Sequence, residues 1–494
     1  MVYLENKPYL NYIVIIILGI LYTTSFAPYS FKIGVYLSLA LFFYILFHSD
    51  KRTSIYLSYL FGLSVFSFGT SWIFNSLYDY GGENLTASLL VTIFLILFIS
   101  IFFIPLGVMV NKDIVTKKIF NFLMPASILV LIELIRSNIF GGFPWLLVGT
   151  SQIGTIFDAF YPLFGTYFVS FLTILISSLI AVIMIGKNIV KYSIILFLVL
   201  LSVNIINSIE YNWSTDKKTN NNITIIQPNI NQLLKFNSDE IKSIKDKYLE
   251  IFQRNDLHDI ILLPETAIPT IYQNDKNFYK EKLLSRADYI IGGVFRHDNV
   301  TNETFNSILV LNNKEQFYDK RHLVPFGEYI PFKNLFIHIM KVFNIPMSNL
   351  SHGKNYQSKI SFDDIFIEPL ICYESAYPQL IETTNKEFSI IVNISNDAWF
   401  GNSLAPYQHL EISQSRALEF QRFLVRSANT GISAVVNKDG EIIDSIPLNH
   451  EGILNASITS SKGKTPYRYF GDYPILMLIF SIMFFYFFTS NKYE

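Results

Sequence analysis

The sequence predicts an α-helical transmembrane bundle combined with an α/β domain, a sandwich of two sheets between helices. Two observations predict it. Of the 494 residues, 51% are hydrophobic, with 45 Phe and 30 Tyr, yet the apolar surplus collects in 9–208 and at 474–489. Between those regions, apolar β-branched runs alternate with longer polar stretches, the pattern of layered strands and helices.

The bundle comes first. A bilayer core about 30 Å thick needs roughly 20 mostly apolar residues in a helix. Such stretches lie near 9–26, 32–48, 53–75, 86–110, 118–139, 163–186 and 190–208, with another at 473–489. Helices are expected because a lipid-embedded span must satisfy its own backbone hydrogen bonds. The first stretch has the outline of a signal peptide, but further apolar segments follow it, so it is read as an uncleaved span. Short-loop charges set the orientation. Lys7, Lys51, Arg52, Lys112, Lys117, Lys118, Lys187, Lys191 and Lys492 fall on one side, and only Lys32 and Arg136 on the other. The first side is expected to be cytoplasmic, with both termini inside and the soluble region outside.

The expected organisation is a seven-helix bundle over 1–210, an extracytoplasmic domain over 211–472, and an eighth helix with a cytoplasmic tail over 473–494. Within the soluble region, strands are expected at 223–227, 259–263, 289–294, 306–311, 365–371, 389–394 and 431–436. Helices are expected at 238–256, 276–286, 376–385 and 405–422. The run Ile260-Ile261-Leu262-Leu263 is apolar without alternation, as in a strand covered on both faces.

A net charge of −1 gives no concentrated basic face, so nucleic acid is not an expected partner. Cys372 is the single cysteine, which excludes an intramolecular disulfide. It is either a buried small hydrophobe or a reactive thiol.

Three segments place polar or reactive residues at the end of a buried strand, where chemistry gathers in α/β sheets. They are Leu263-Pro264-Glu265, the stretch 318–329 containing Lys320 and Glu328, and Ile371-Cys372-Tyr373-Glu374. A thiol with pKa near 8.5 needs a base or a nearby cation to react. Glu265 can take the proton, and Lys320 can supply positive charge and, with a backbone N–H after the cysteine, stabilise an oxyanion. Taken singly, the three are equally a solvated carboxylate, a surface charge and core packing.

With these residues in view, 222–460 resembles the carbon–nitrogen hydrolase (nitrilase) superfamily, whose catalytic group is Glu-Lys-Cys in that chain order. The pattern Tyr-x-Lys-x-His-Leu-Val-Pro-Phe-Gly-Glu-Tyr-x-Pro over 318–331 is similar to the apolipoprotein N-acyltransferase family. So are Ser395-Asn396-Asp397-Ala398-Trp399-Phe400-Gly401, Gln408-His409, Arg416-Ala417-Leu418-Glu419, Ser71-Trp72, Glu133-x-x-Arg136 and Gly142-Phe143-Pro144-Trp145.

The resemblance implies a nitrilase-like α-β-β-α sandwich beside the bundle, in a bacterial inner-membrane enzyme whose catalytic domain is periplasmic. It implies that Cys372 takes an acyl chain from a phospholipid as a thioester and passes it to the α-amino group of a diacylglyceryl-cysteine on an apolipoprotein. Ping-pong kinetics are expected. Glu265 would be the general base and Lys320 the electrostatic stabiliser. Glu328 would orient the lysine or substrate, Tyr373 and Glu374 would shape the nucleophile loop, and Asn306 would lie near the pocket. Phe236 departs from the family, which usually has tryptophan there; an aromatic contact with lipid survives and any indole hydrogen bond is lost. No metal or organic cofactor is implied, and a monomer is expected.

Three readings stay open. Glu133 and Arg136, one turn apart, are expected to pair, with headgroup contact as the lesser option. The apolar segment 335–347 is either a membrane-touching arm or a core helix. A membrane-tethered amidase acting on a small soluble amide would share the same three residues. A transporter is disfavoured by the lack of an inverted repeat. Metalloproteases and serine lipases are disfavoured because His-Glu-x-x-His and Gly-x-Ser-x-Gly do not occur.

Overall fold

The unbroken run Ile260-Ile261-Leu262-Leu263 shows how the sheet-bearing part is built. Ile260 and Leu262 pack into a core with Ile223, Ile225, Ile367, Val392 and Val425, whereas Ile261 and Leu263 pack into another with Tyr248, Ile251 and Phe252. Successive side chains of a strand point to opposite faces, so a strand clothed on both sides needs apolar residues at every position. Each such side chain, fully buried, contributes roughly 1.5–3 kcal/mol.

This is a computed structural model, and it describes residues 8–82, 84–112, 121–209, 211–254, 256–325, 327–329, 350–381 and 387–490. One sheet has the order β12-β1-β2-β3-β4-β5 and the other β11-β10-β9-β8-β7-β6. The first comprises β1 (Ser214–Gln227), β2 (Ile260–Leu262), β3 (Tyr289–Asp298), β4 (Glu303–Leu311), β5 (Glu315–Asp319) and β12 (Gly452–Gly463). The second comprises β6 (Ile360–Phe362), β7 (Ile365–Ile371), β8 (Ile390–Ser395), β9 (Leu424–Ala428), β10 (Ser433–Val436) and β11 (Ile442–Ile446). Strands β1, β2 and β3 are mutually parallel, as are β7, β8 and β9. One core lies between the sheets; the other lies under the helix Ile241–Phe252 on the first sheet's outer face. On the second sheet, the helix Ala405–Phe420 packs against β9 and the turn Cys372–Ala376.

Every expected strand is present. Strands β5, β6, β9, β11 and β12 were not expected: β9 carries Arg426 inside an apolar run, and β12 is a largely polar, partly exposed strand at the sheet edge, paired along β1. The helix expected at 376–385 is a correction. Its described part consists of 3₁₀ turns, Cys372–Ala376 and Pro378–Leu380, with Pro378 interrupting the run. The segment 335–347 lies outside the described residues.

The chain divides into two units, and the division is not sequential. Trp72–Ser88 groups with Asn212–Lys464, while Leu89–Tyr211 groups with the segments ending at Ser71 and starting at Thr465. The Trp72 ring meets Phe400 edge-on at 4.8 Å, and Asn75 donates to the Phe400 carbonyl.

In the helical unit, a helix occupies each of the eight stretches read as spans. By length and composition four can cross a membrane: Leu85–Met109, Met124–Gly141, Thr166–Ile185 and Ile189–Asn207. Tyr9–Thr23, Ile33–His48 and Tyr473–Tyr486 are shorter apolar helices, and Lys51–Gly69 starts on two cations and carries several serines. Small residues draw the helices together: a Cβ on Gly19 would strike Ser64, whose hydroxyl donates to Ile16 O at 2.7 Å. Glu133 accepts from Val148 N at 2.7 Å and Arg136 donates to Trp145 O at 2.7 Å, so both brace the 143–148 loop.

Candidate active site

Three loops carry the sequence-predicted residues. Glu265 follows β2 through Pro264. Its loop lies so close to β3 that a Cβ on Gly293 would run into Glu265 Cα and Thr266 N. Backbone bonds close the contact, from Gly293 N to Pro264 O at 3.1 Å and from Ala267 N to Gly293 O at 2.9 Å. Lys320 follows β5 and is fixed by its N–H to Asn306 O at 2.8 Å and by Gly353 N to its own carbonyl at 2.7 Å. Cys372 follows β7 with φ of 50°, a left-handed conformation rare outside glycine.

Around Lys320 the charges converge. Its Nζ lies 2.8 Å from Glu328 Oε2 and 3.6 Å from Glu265 Oε1, with the lysine only 1% exposed. Asn306 on β4 ties the two carboxylates together, its Nδ2 donating to Glu265 Oε1 at 2.7 Å and to Glu328 Oε1 at 3.0 Å. Glu328 also accepts from Val324 N at 2.8 Å. Burial alone would lower the Lys320 pKa, but the Glu328 and Glu265 charges outweigh it and hold the ammonium above its ordinary value. Cys372 is pushed up to about 12, first by burial and then by the Glu265 charge, with Lys320 pulling the other way. The resting thiol is therefore protonated, and reaction requires a base that takes its proton as the bond forms.

Glu374 is wholly buried. It accepts from Ile371 N at 2.8 Å, Arg321 N at 2.7 Å, His322 N at 3.1 Å and the Tyr318 hydroxyl at 3.0 Å. It thus staples the lysine loop to the cysteine loop. The Tyr373 ring meets Tyr377 edge-on at 5.1 Å and lies tilted against His322 at 5.9 Å. Phe236 is half exposed at the end of the helix Gln232–Lys235, 6.4 Å from the Trp399 ring.

Sequence reasoning gave no role to two further groups. Lys235 is fully buried and donates to the Glu265 carbonyl at 3.1 Å; burial lowers it to about 7 against the opposing Glu265 charge. Beneath Cys372, Asp397 Oδ1 lies 2.9 Å from His409 Nδ1, and Arg426 donates to Asp397 Oδ2 at 2.6 Å. A charge inside the apolar strand Leu424-Val425-Arg426 was the available signal, since a buried cation demands a partner. Burial would raise Asp397, but Arg426 and then His409 hold it well below the carboxylate range.

Cys372, Asp397 and His409 present ligand atoms within 4.8 Å of one another. Asp397 is already engaged by Arg426 and by the Ser395 hydroxyl at 2.6 Å, and His409 Nε2 lies 3.0 Å from Cys372 O. The cluster is built as a hydrogen-bonded brace, with its acceptors already occupied.

Two family models match the chain: the apolipoprotein N-acyltransferase N-terminal domain over 18–179 and carbon–nitrogen hydrolase over 223–467. The apolipoprotein N-acyltransferase of Coxiella burnetii is 33% identical over 480 residues, covering 95% of this chain and 98% of that one. That of Haemophilus influenzae is 31% identical, covering 97% and 95%, and that of Pasteurella multocida 30%, covering 94% and 93%.

Proposed function

We propose, from the premise that this chain belongs to the apolipoprotein N-acyltransferase family, that it moves a fatty acyl chain from a phospholipid to an apolipoprotein through a thioester on Cys372. In this reading Glu265 takes the thiol proton as sulfur attacks the ester carbonyl and gives it to the departing glyceryl oxygen as the C–O bond breaks, so the lysophospholipid leaves as an alcohol. The α-amino group of the diacylglyceryl-cysteine then attacks the thioester, Glu265 takes a proton from that amine and hands it to the sulfur as the C–S bond breaks, and the amide leaves a free thiol and an ionised Glu265. Lys320 steadies the negative charge of each tetrahedral intermediate. Glu328 and Asn306 hold Lys320 and Glu265 in register, Glu374 and Tyr373 shape the cysteine loop, and Phe236 offers an apolar surface to the acyl chain.

The observation that carries the reading is one buried ammonium held between two carboxylates, in electrostatic reach of the chain's single cysteine. Two carboxylates around one cation leave a surplus negative charge, which suits Glu265 to accept a proton. The test is the intact mass of detergent-purified protein incubated with phospholipid, beside Cys372→Ala. A hydroxylamine-sensitive gain of one acyl chain, absent from the variant, is expected. Release of ammonia from a small amide without any acyl adduct would favour the amidase reading.

The domain expected at 211–472 is proposed to face the periplasm from the bacterial inner membrane, with both termini cytoplasmic. The short-loop Lys and Arg distribution supports this orientation. An alkaline phosphatase reporter fused after residue 494 should stay inactive; activity there would reverse the topology.

A further inference from the structure

We infer that His409 is a positioning residue for the transfer: it holds the Cys372–Tyr373 peptide so that the Tyr373 N–H faces the side on which the acyl oxyanion forms. The inference rests on the acyl-transfer reading above.

A left-handed backbone at a residue other than glycine costs about 1 kcal/mol or more, so the φ of 50° at Cys372 must be held by its surroundings. Two anchors do so. Before the cysteine, Ile371 N donates to Glu374. After it, the Cys372 carbonyl lies 3.0 Å from His409 Nε2, on the helix Ala405–Phe420. A carbonyl only accepts, so Nε2 carries the proton in that bond, in the neutral ring or the imidazolium alike.

The consequence follows from peptide geometry. The Cys372–Tyr373 bond is trans, and in a trans peptide the C=O and the following N–H point in opposite directions. Pinning the carbonyl toward His409 therefore turns the Tyr373 N–H away from that helix. The ring is itself held from behind. Its Nδ1 lies 2.9 Å from Asp397 Oδ1 and 3.0 Å from an Arg426 nitrogen; on the front side Ser375 Oγ lies 3.0 Å from Nε2 and shares that N–H with the Cys372 carbonyl. His409, Asp397 and Arg426 are each at most 1% exposed. Simple packing under a loop would be met as well by apolar residues, without the desolvation that buried charges carry.

The test separates orientation from mere support. Two rates are measured on the detergent-solubilised full chain: acylation of Cys372 by p-nitrophenyl butyrate, and alkylation by iodoacetamide, which forms no oxyanion. A glutamine amide reaches the Nε2 position and an asparagine amide only that of Nδ1. H409N should slow acylation about 100-fold, the effect of losing one oxyanion donor, with alkylation within about threefold of wild type, while H409Q recovers acylation to within about tenfold. Equal acylation losses in both variants at matched melting temperatures would overturn the inference, as would alkylation falling in step with acylation. If H409N does not fold, H409Q against wild type decides. An acylation-to-alkylation ratio within about tenfold of wild type is expected, and one reduced about 100-fold overturns it. A wild-type chain that is alkylated but never acylated overturns the acyl-transfer reading, and this inference with it.

Discussion

Lys320 and Glu328 form a buried ion pair, Nζ to Oε2 at 2.8 Å, so the ammonium is paired on one side and 3.6 Å from Glu265 on the other. Truncating Lys320 leaves two carboxylates without their cation, which typically costs 3–5 kcal/mol. Lys320→Ala should therefore lower the melting temperature sharply as well as abolish transfer. Glu328→Gln keeps the shape and the Val324 N–H contact, and should fold near wild type with transfer reduced roughly 10–100-fold. Parallel melting curves and transfer rates check both.

The thiol offers a test with opposite signs. Glu265 is the largest charge raising Cys372. Glu265→Gln should therefore speed iodoacetamide alkylation at pH 7–8 while acyl transfer falls by about 10²–10⁴, the usual range for loss of a general base. Slower alkylation in this variant would contradict the electrostatic assignment.

The same thiol makes stability depend on pH. Its folded value is about 12 against an ordinary 9.0, so the unfolded chain releases this proton first as pH rises. The stabilising contribution is complete below about 9 and is lost toward about 12. Wild type should thus lose melting temperature relative to Cys372→Ser across that window, and match its trend below it.

Glu374 receives hydrogen bonds from two loops. Glu374→Ala leaves buried donors without an acceptor, each costing about 1–3 kcal/mol. A loss of at least about 3 kcal/mol is expected. If thermal unfolding in detergent moved only marginally, the staple would be a minor contributor.

Phe236 sits half exposed beside Trp399. In the proposed role as an acyl-chain surface, Phe236→Ala should raise KM for phospholipid about tenfold, the equivalent of a partly buried aromatic, and leave kcat within about twofold. A fall in kcat at unchanged KM would move Phe236 from lipid contact to the chemistry.

Much of this was legible in the sequence for physical reasons. Strands clothed on both faces announce themselves as apolar runs, and the helical stretches stand out by composition. Glu265 and Lys320 were approachable because each sits just past the end of a strand, whereas Glu328, nine residues beyond β5, was reached only through the family resemblance. Strand β9 was hidden by Arg426, whose compensation by Asp397 lies 29 residues away in sequence. Lys235 reads as a surface lysine because nothing local reveals that its stem is buried and its ammonium spent on a backbone carbonyl. The 3₁₀ turn Pro378–Leu380 falls within 376–385, which reads as helix because its polar spacing resembles one, and the left-handed Cys372 has no sequence marker at all.

Glu265 and Lys320 hang from one sheet and Cys372 from the other. Neither half of the sandwich holds the reagent alone. In the proposed reading, a chain whose two sheets have not met has no base beside its thiol. In that same reading acylation begins only once the two sheets have closed, so its onset doubles as a clock for the last step of folding.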